Sequence, residues 1–453
     1  MTSPKYGSTN RKAPKLSFGE ALLKGLAPDR GLYMPDFIPQ FSIEEIKAMS
    51  SKTYPEIAFE VLYKYLKDEI SGDELKAMVD DAYDFDVPLE NGYENKFVMR
   101  LDQGPTASFK DFAARMMGRL MQYYLKKQNR RLLILTATSG DTGSAIANAF
   151  YDLENINVVV LFPEKEVTNR QRKQMTTLGK NVQIISLDGK FDDCQALVKE
   201  AFSDKDLDYL DLSSANSINI GRLLPQSVYY FYSYSRLIKN AGEKIVFSVP
   251  SGNFGDMMGG VLAMNMGLPV KKFIIATNEN DEFPVYVKTG NYKIIVPSKN
   301  CISSAMNVGH PSNMSRLVSL YGGVMNENGE ILEPADMDKM REHIWSVSVN
   351  DGETKQTIIE AWKDHELLLE PHGSVGWAGL TEYIKEYGND PSQVYVSLET
   401  AHPAKFPEQI VELLGFDPKL PQSLEGIEEK EEQYDTINTN YADFKTYLQK
   451  NYN

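Results

Sequence analysis

The sequence predicts an α/β protein with parallel sheets and helices on both faces, and three observations predict it. Short apolar runs of β character alternate with amphipathic helical stretches, the pattern of parallel strands joined by helical crossovers. Two of those runs end in Gly-rich bends that lead straight into helices, at 136–143 and 249–256. The chain has 453 residues, 42% hydrophobic and 25% charged, which suits a globular protein of more than one domain.

Residues 1–90 read as a mostly helical segment, with turn signals at Pro28, Pro35 and Pro39 and a helix start at Asp73. No chemistry is legible there, and a cap or an oligomer surface suits it. Residues 91–225 read as a first α/β domain. Phe109, Phe112, Ala113, Met116, Leu120, Tyr123 and Tyr124 recur at helical spacing, and strands follow at Leu132–Leu135, Val158–Phe162 and Val182–Leu187. Residues 226–420 read as a second, with strands at Ile245–Val249, Phe273–Ala276 and Val394–Leu398. Its stretch from Glu279 to Gly329 is irregular apart from a β-like run at Tyr292–Val296. Residues 421–453 combine an acidic, solvated hinge with a helix that docks Tyr441, Phe444, Tyr447 and Leu448.

Composition excludes several classes. The net charge of -15 with no basic block speaks against nucleic acid and anionic membranes, so an anionic substrate needs a local positive site. The two cysteines, Cys194 and Cys301, form no CxxC pattern, and the five histidines have no metal spacing, so no metal is expected. No apolar run approaches the roughly 20 residues of a membrane span. The basic first fifteen residues lack the apolar core of a secretory signal, so a cytoplasmic protein is expected, and the Asn313–Ser315 sequon reads as chance.

Candidate chemistry centres on Lys110. It lies in the first turn of its helix, where the macrodipole opposes a cation; an ordinary surface lysine and an amine kept neutral for a Schiff base both fit that address. The bend VPSGNFGD (249–256) points amides and a helix N-terminus at one spot, as a structural turn or a cradle for one phosphate; it has neither a Walker lysine nor GxGxxG spacing. In TATSGDTG (136–143), Thr138, Ser139 and Thr142 surround Gly140 and suit a carboxylate, or Ser139 or Asp141 is an N-cap. Arg222, with Asn216, Ser217 and Asn219, suits a phosphate or a capped turn, and the aromatic helix Tyr229–Tyr234 reads as core. Thr400, His402 and Lys405 follow a strand end, where α/β sheets hold ligands, and Lys405 rivals Lys110 as the reactive amine. A covalent lysine with a monoester-phosphate cradle points to pyridoxal 5'-phosphate.

GPTASFKDF, TATSGDTGSA, SANSINIGRLLPQ, VPSGNFGD, ATNEND and TAHPAKF occur in order, and through them the chain from Leu16 to Phe406 resembles the threonine synthase family. The resemblance implies a fold-type II pyridoxal-phosphate enzyme of two open parallel-sheet domains, related to the β subunit of tryptophan synthase, with its active site in the cleft between them. It implies that Lys110 forms the Schiff base, that Gly252, Asn253, Phe254 and Gly255 hold the cofactor phosphate, and that Asp141 lies near the 3'-oxygen. Thr400 is then the partner of the ring nitrogen. Thr138, Ser139 and Thr142 take the substrate carboxylate, and Asn216, Ser217 and Arg222 its phosphate. The implied reaction turns O-phospho-L-homoserine and water into L-threonine and phosphate, in a monomer or homodimer. A serine or threonine dehydratase of the same fold, or a silent phospho-amino-acid-binding homologue, are the alternatives. Asn307 and Gly373 depart from the family's usual residues at those places.

Overall fold

A computed structural model describes residues 2–138, 140–165 and 167–452. Two sheets organise it. The larger has six strands in the order Ile344–Ser348, Val270–Thr277, Ile245–Pro250, Tyr395–Glu399, Lys96–Arg100 and Leu89–Tyr93, parallel except for the last pair. The smaller has five, Asp435–Ile437, Val182–Leu187, Ile156–Pro163, Leu132–Ala137 and Leu212–Ser213, all parallel.

Alternation along each strand buries both faces. Leu133, Leu135 and Ala137 pack with Leu197 and Val198 of helix Phe191–Ser203 and with Phe444 and Leu448 of helix Tyr441–Asn451. Leu132 and Ile134 point the other way, into a core that holds Ile146 and Phe150 of helix Asp141–Phe150. In the larger sheet Val98, Val246 and Ile274 cluster with Trp377 and Leu380 of helix Pro371–Tyr387, while Met99, Phe247 and Phe273 enter the same core as Ile134. One core therefore joins the inner faces of both sheets. Helix Lys110–Gln128 belongs to it through the fully buried Phe112, Met116 and Met117.

The strand order interleaves segments that the sequence reading separates at 91, 226 and 421. Strands at 89–100 belong to the larger sheet, and the tail returns to the smaller one through Asp435–Ile437. Leu89–Tyr93 and Asp435–Ile437 are edge strands without an apolar run, so neither announces itself in composition. The run Tyr292–Val296 is not a strand: Ile294 and Val296 are exposed, and its ladder-like bond is Ile295 N–H to the Gly309 carbonyl at 2.8 Å. β-branched residues express a propensity that only a neighbouring edge can use.

Four helices, Phe18–Lys24, Ile43–Ala48, Tyr54–Leu66 and Gly72–Ala82, are the main elements of the N-terminal segment but fill less than half of it, and each is started by a capping box. The last begins at Ser71 rather than at Asp73, because the Ser71 hydroxyl accepts from Glu74 N–H while the Glu74 carboxylate accepts from Ser71 N–H and O–H. The acidic tail is less solvated than expected. Glu428 pairs with Arg170, and Glu432 pairs with Arg172 and accepts from the Thr176 hydroxyl. No helix among the described residues is long and apolar enough to cross a membrane.

Candidate active site

The turn before Lys110 is built around a buried carboxylate. Asp111 accepts from Thr106 N–H at 2.8 Å and from the Thr106 hydroxyl at 2.6 Å. A Cβ on Gly104 would collide with that carboxylate, so close approach requires the glycine. Residues 107–109 then run antiparallel to 400–402. Phe109 N–H donates to the Thr400 carbonyl at 2.9 Å and His402 N–H to the Ala107 carbonyl at 3.0 Å. The C-terminal end of strand Tyr395–Glu399 thus fixes the backbone that presents Lys110.

Lys110 is the first residue of its helix, and its side chain is 12% exposed. Burial lowers the pKa of its ammonium; Asp141 opposes the shift, and Lys405 and Arg222 add to it. Asp141 opens the next helix, with Oδ2 3.7 Å from Lys110 Nζ. Its Oδ1 lies 2.7 Å from Lys405 Nζ and accepts from Gln171 Nε2 at 2.9 Å. Burial pushes this carboxyl up, but Lys405, Lys110 and His372 more than reverse it and hold it well below the aspartate range.

Gly140 has φ 128°, and a Cβ there would meet the Gln171 side chain at 2.8 Å. Thr138 Oγ1 accepts from the amides of Gly140 at 3.0 Å and Gly143 at 2.7 Å, so this hydroxyl shapes the loop. Thr142 is half-buried, and neither its hydroxyl nor the amides of Asp141 and Thr142 have a partner among the described residues. Ser139 lies outside the described residues.

The second bend leaves strand Ile245–Pro250 and enters helix Gly255–Asn265 through Phe254, which has a left-handed backbone (φ 63°) and no side-chain cap. A Cβ on Gly252 would approach the Ala305 carbonyl to 2.9 Å, and one on Gly255 would approach Ser217 Cβ to 3.2 Å. Asn253 faces outward and is tied to Ser312 and Asn313. The amides of residues 252–256 donate to no described residue. Those amides, at the positive end of a helix, fit a phosphate monoester.

Arg222 is buried, against the ordinary expectation for a lone arginine. Its Nη1 donates to the Ala215 carbonyl at 2.7 Å, its Nε has no partner, and no carboxylate pairs with it among the described residues. Burial lowers its pKa to about 10, with Asp111 and Tyr229 opposing. Asn216 Oδ1 is likewise buried without a partner, and Ser217 Oγ shares a hydrogen bond with Ser312 Oγ at 3.2 Å. Thr400 is buried, and its hydroxyl makes no hydrogen bond among the described residues.

Sequence reasoning missed several supports. Gln171 reads only as half of a capping box, which it is, with Thr168. Arg316, wholly buried, donates to the carbonyls of Tyr33, Ser217 and Ile218 and so braces the Asn216–Ser217 loop from behind. Its sequence surroundings give no signal. Tyr229 and Tyr230 are core, as expected, but their hydroxyls also donate to Asp256 beneath the phosphate cradle.

Two largely parallel sheets on a shared core, with a buried lysine whose charge reaches Asp256 at a cradle of unpaired amides, place the chain among the fold-type II enzymes. The family model "Pyridoxal-phosphate dependent enzyme" matches residues 89–399, which makes pyridoxal phosphate the cofactor. The flanks narrow the class, because "Threonine synthase N terminus" matches residues 5–83 and "Threonine synthase, C-terminal" matches 374–448. The chain belongs to the threonine synthase family. It is similar to the threonine synthase of Haemophilus influenzae, 38% identical over 446 residues that cover 97% of this chain and 99% of that one. Among solved structures it resembles the PLP-bound threonine synthase of Brucella melitensis, with TM-score 0.92 and 35% identity over 99% of this chain and 100% of that one. It also resembles the yeast threonine synthase, with TM-score 0.89 and 31% identity over 99% of this chain and 98% of that one.

Proposed function

We propose that the protein converts O-phospho-L-homoserine and water into L-threonine and phosphate. Arg222 carries the reading: a buried guanidinium with an unpartnered Nε and no carboxylate paired to it among the described residues, within the field of Lys110, suits a second phosphate beyond the cofactor's own. A dehydratase has no use for one.

In this reading Lys110 is the residue that bonds the cofactor, and Gly252, Asn253, Phe254 and Gly255 would hold its phosphate. Thr400 would meet the ring nitrogen and Asp141 the 3'-oxygen. When bound, the cofactor supplies an electron sink for charge at the substrate Cα. The Asp141 and Thr142 amides and the Thr142 hydroxyl anchor the substrate carboxylate, with Thr138 holding their loop. Asn216 and Ser217 complete the shell of Arg222 around the substrate phosphate.

The neutral Lys110 amine, favoured by burial, takes the Cα proton, would deliver it to the bound cofactor for storage, and, neutral once more, takes a Cβ proton. The Cγ–O bond breaks with its electron pair on the departing phosphate, whose charge Arg222 balances. One of these protons goes to Cγ and the other returns to Cα, while water adds its hydroxyl at Cβ and gives its remaining proton to the released phosphate. The protein works on a small molecule, as a cytoplasmic monomer or homodimer.

Arg222→Leu tests the substrate assignment. Truncating one side of a buried charge pair costs about 2–5 kcal/mol, so kcat/KM for phosphohomoserine is expected to fall on the order of 10²- to 10³-fold. An unchanged rate sinks the assignment.

A further inference from the structure

Lys405 is wholly buried, yet its role is not exhausted by packing. Its ammonium donates to the Thr106 carbonyl at 2.8 Å and pairs with Asp141 Oδ1 at 2.7 Å. Its own backbone is anchored, since the Thr168 hydroxyl donates to the Lys405 carbonyl at 3.3 Å and Arg170 Nη1 to the Ala404 carbonyl at 2.7 Å. Asp141 Oδ1 thus has two fixed donors, Lys405 and Gln171, and only Oδ2 faces Lys110, at 3.7 Å, beyond hydrogen-bond length.

We propose that Lys405 is a positioning residue that diverts Asp141 away from Lys110 and thereby leaves the Lys110 amine free to lose its proton. An amine reacts with an aldehyde, releasing water, only as the neutral base. Without Lys405, Asp141 would close on Lys110 and hold it as an ammonium. The Lys405 charge also acts directly, because two ammonium groups around one carboxylate disfavour each other. The other charged or titratable groups around the pair, among the described residues, are Arg222, Glu370, His372, Asp111, Asp256 and His402. The inference rests on Lys110 as the cofactor's amine.

The test follows recombination of pyridoxal phosphate with the full chain stripped of cofactor, read by its visible absorption band across pH. Lys405→Met is expected to raise the pH midpoint of the rate by about one unit, which is roughly tenfold slower recombination at pH 7. Gln171→Leu, which removes the other donor and leaves every charge in place, shifts the midpoint the same way by less. A support that is merely structural lowers the melting temperature and leaves the midpoint alone, so an unmoved midpoint in both variants overturns the proposal. If Lys405→Met does not fold, Gln171→Leu decides by the same criterion. Borohydride trapping in the unsubstituted protein separates the two readings: a label on Lys405 defeats the assignment of Lys110, whereas a label on Lys110 with unmoved midpoints defeats only the role of Lys405.

Discussion

The fold opposes a charge on Glu282. It is buried, its Oε2 has no partner among the described residues, and burial raises its carboxyl to about 8, with Asp281 adding and Lys299 opposing. An unfolded glutamate titrates near about 4.3. The folded pKa lies above the unfolded one, so the stability linked to the bound proton is complete below about 4.3 and lost as pH rises through 8. Glu282→Gln cannot ionise. Its stability advantage over the unsubstituted chain is expected to widen by on the order of 3 kcal/mol between about pH 5 and pH 9. Denaturant unfolding at both ends of that range checks it, and a constant gap refutes it. In the sequence Glu282 lies in the stretch Glu279–Gly329 that reads as irregular, whereas in the fold it opens helix Glu282–Thr289. Its burial comes from tertiary packing, such as Phe283 against Phe254 at 4.7 Å between ring centres, which no local pattern encodes.

Between elements, closeness of approach decides what the sequence allows. Helix Pro371–Tyr387 lies so near the end of strand Tyr395–Glu399 that a Cβ on Gly373 would overlap the Glu399 carboxylate. That accounts for the glycine where the family often carries a larger residue. Gly373→Ala is expected to cost about 2–3 kcal/mol. Part of that loss returns when Glu399→Ala removes the obstacle, a coupling that a double-mutant cycle in urea measures; strict additivity refutes the contact. Helix Asn169–Thr176 is held on its outer side by the tail, through Arg170 to Asp417 and Glu428, while its inner side supplies Gln171 to Asp141 and Gln174 to the Thr106 carbonyl. Arg170→Leu leaves the Ala404 carbonyl without its donor. It is expected to destabilise the chain by about 2 kcal/mol and to open residues 417–432 to limited proteolysis; an unchanged digestion pattern counts against the clamp. The helix and its capping box are written locally, but the tail that lies on it is legible only as an acidic stretch. Continuous apolar runs such as Val158–Phe162 identify the buried strands, because strands covered on both faces leave little room for polar residues.

For the whole molecule, the chain's net charge of -15 sits awkwardly with anionic ligands. The site answers locally, with Lys110 and Lys405 on either side of Asp141, Arg222 within the field of Lys110, and Lys110 in turn within the field of Asp256 at the cradle of unpaired amides. Without ligands such a cluster costs stability, since buried cations and idle donors have given up water without full return. Binding then stabilises the fold by mass action, about 4 kcal/mol at a thousandfold excess over Kd. Removing pyridoxal phosphate is therefore expected to lower the melting temperature, and adding it back to restore the value. In Lys110→Ala the restoration is smaller but present, because the cradle amides do not depend on the lysine. Arg222→Leu distinguishes the two phosphate sites. It is expected to raise the melting temperature of the unliganded protein by removing an unpaired buried charge, to keep the gain from pyridoxal phosphate, and to lose the further gain that phosphohomoserine gives the Lys110→Ala protein when both substitutions are combined. If that double variant gains as much from phosphohomoserine as Lys110→Ala does, Arg222 does not hold the substrate phosphate.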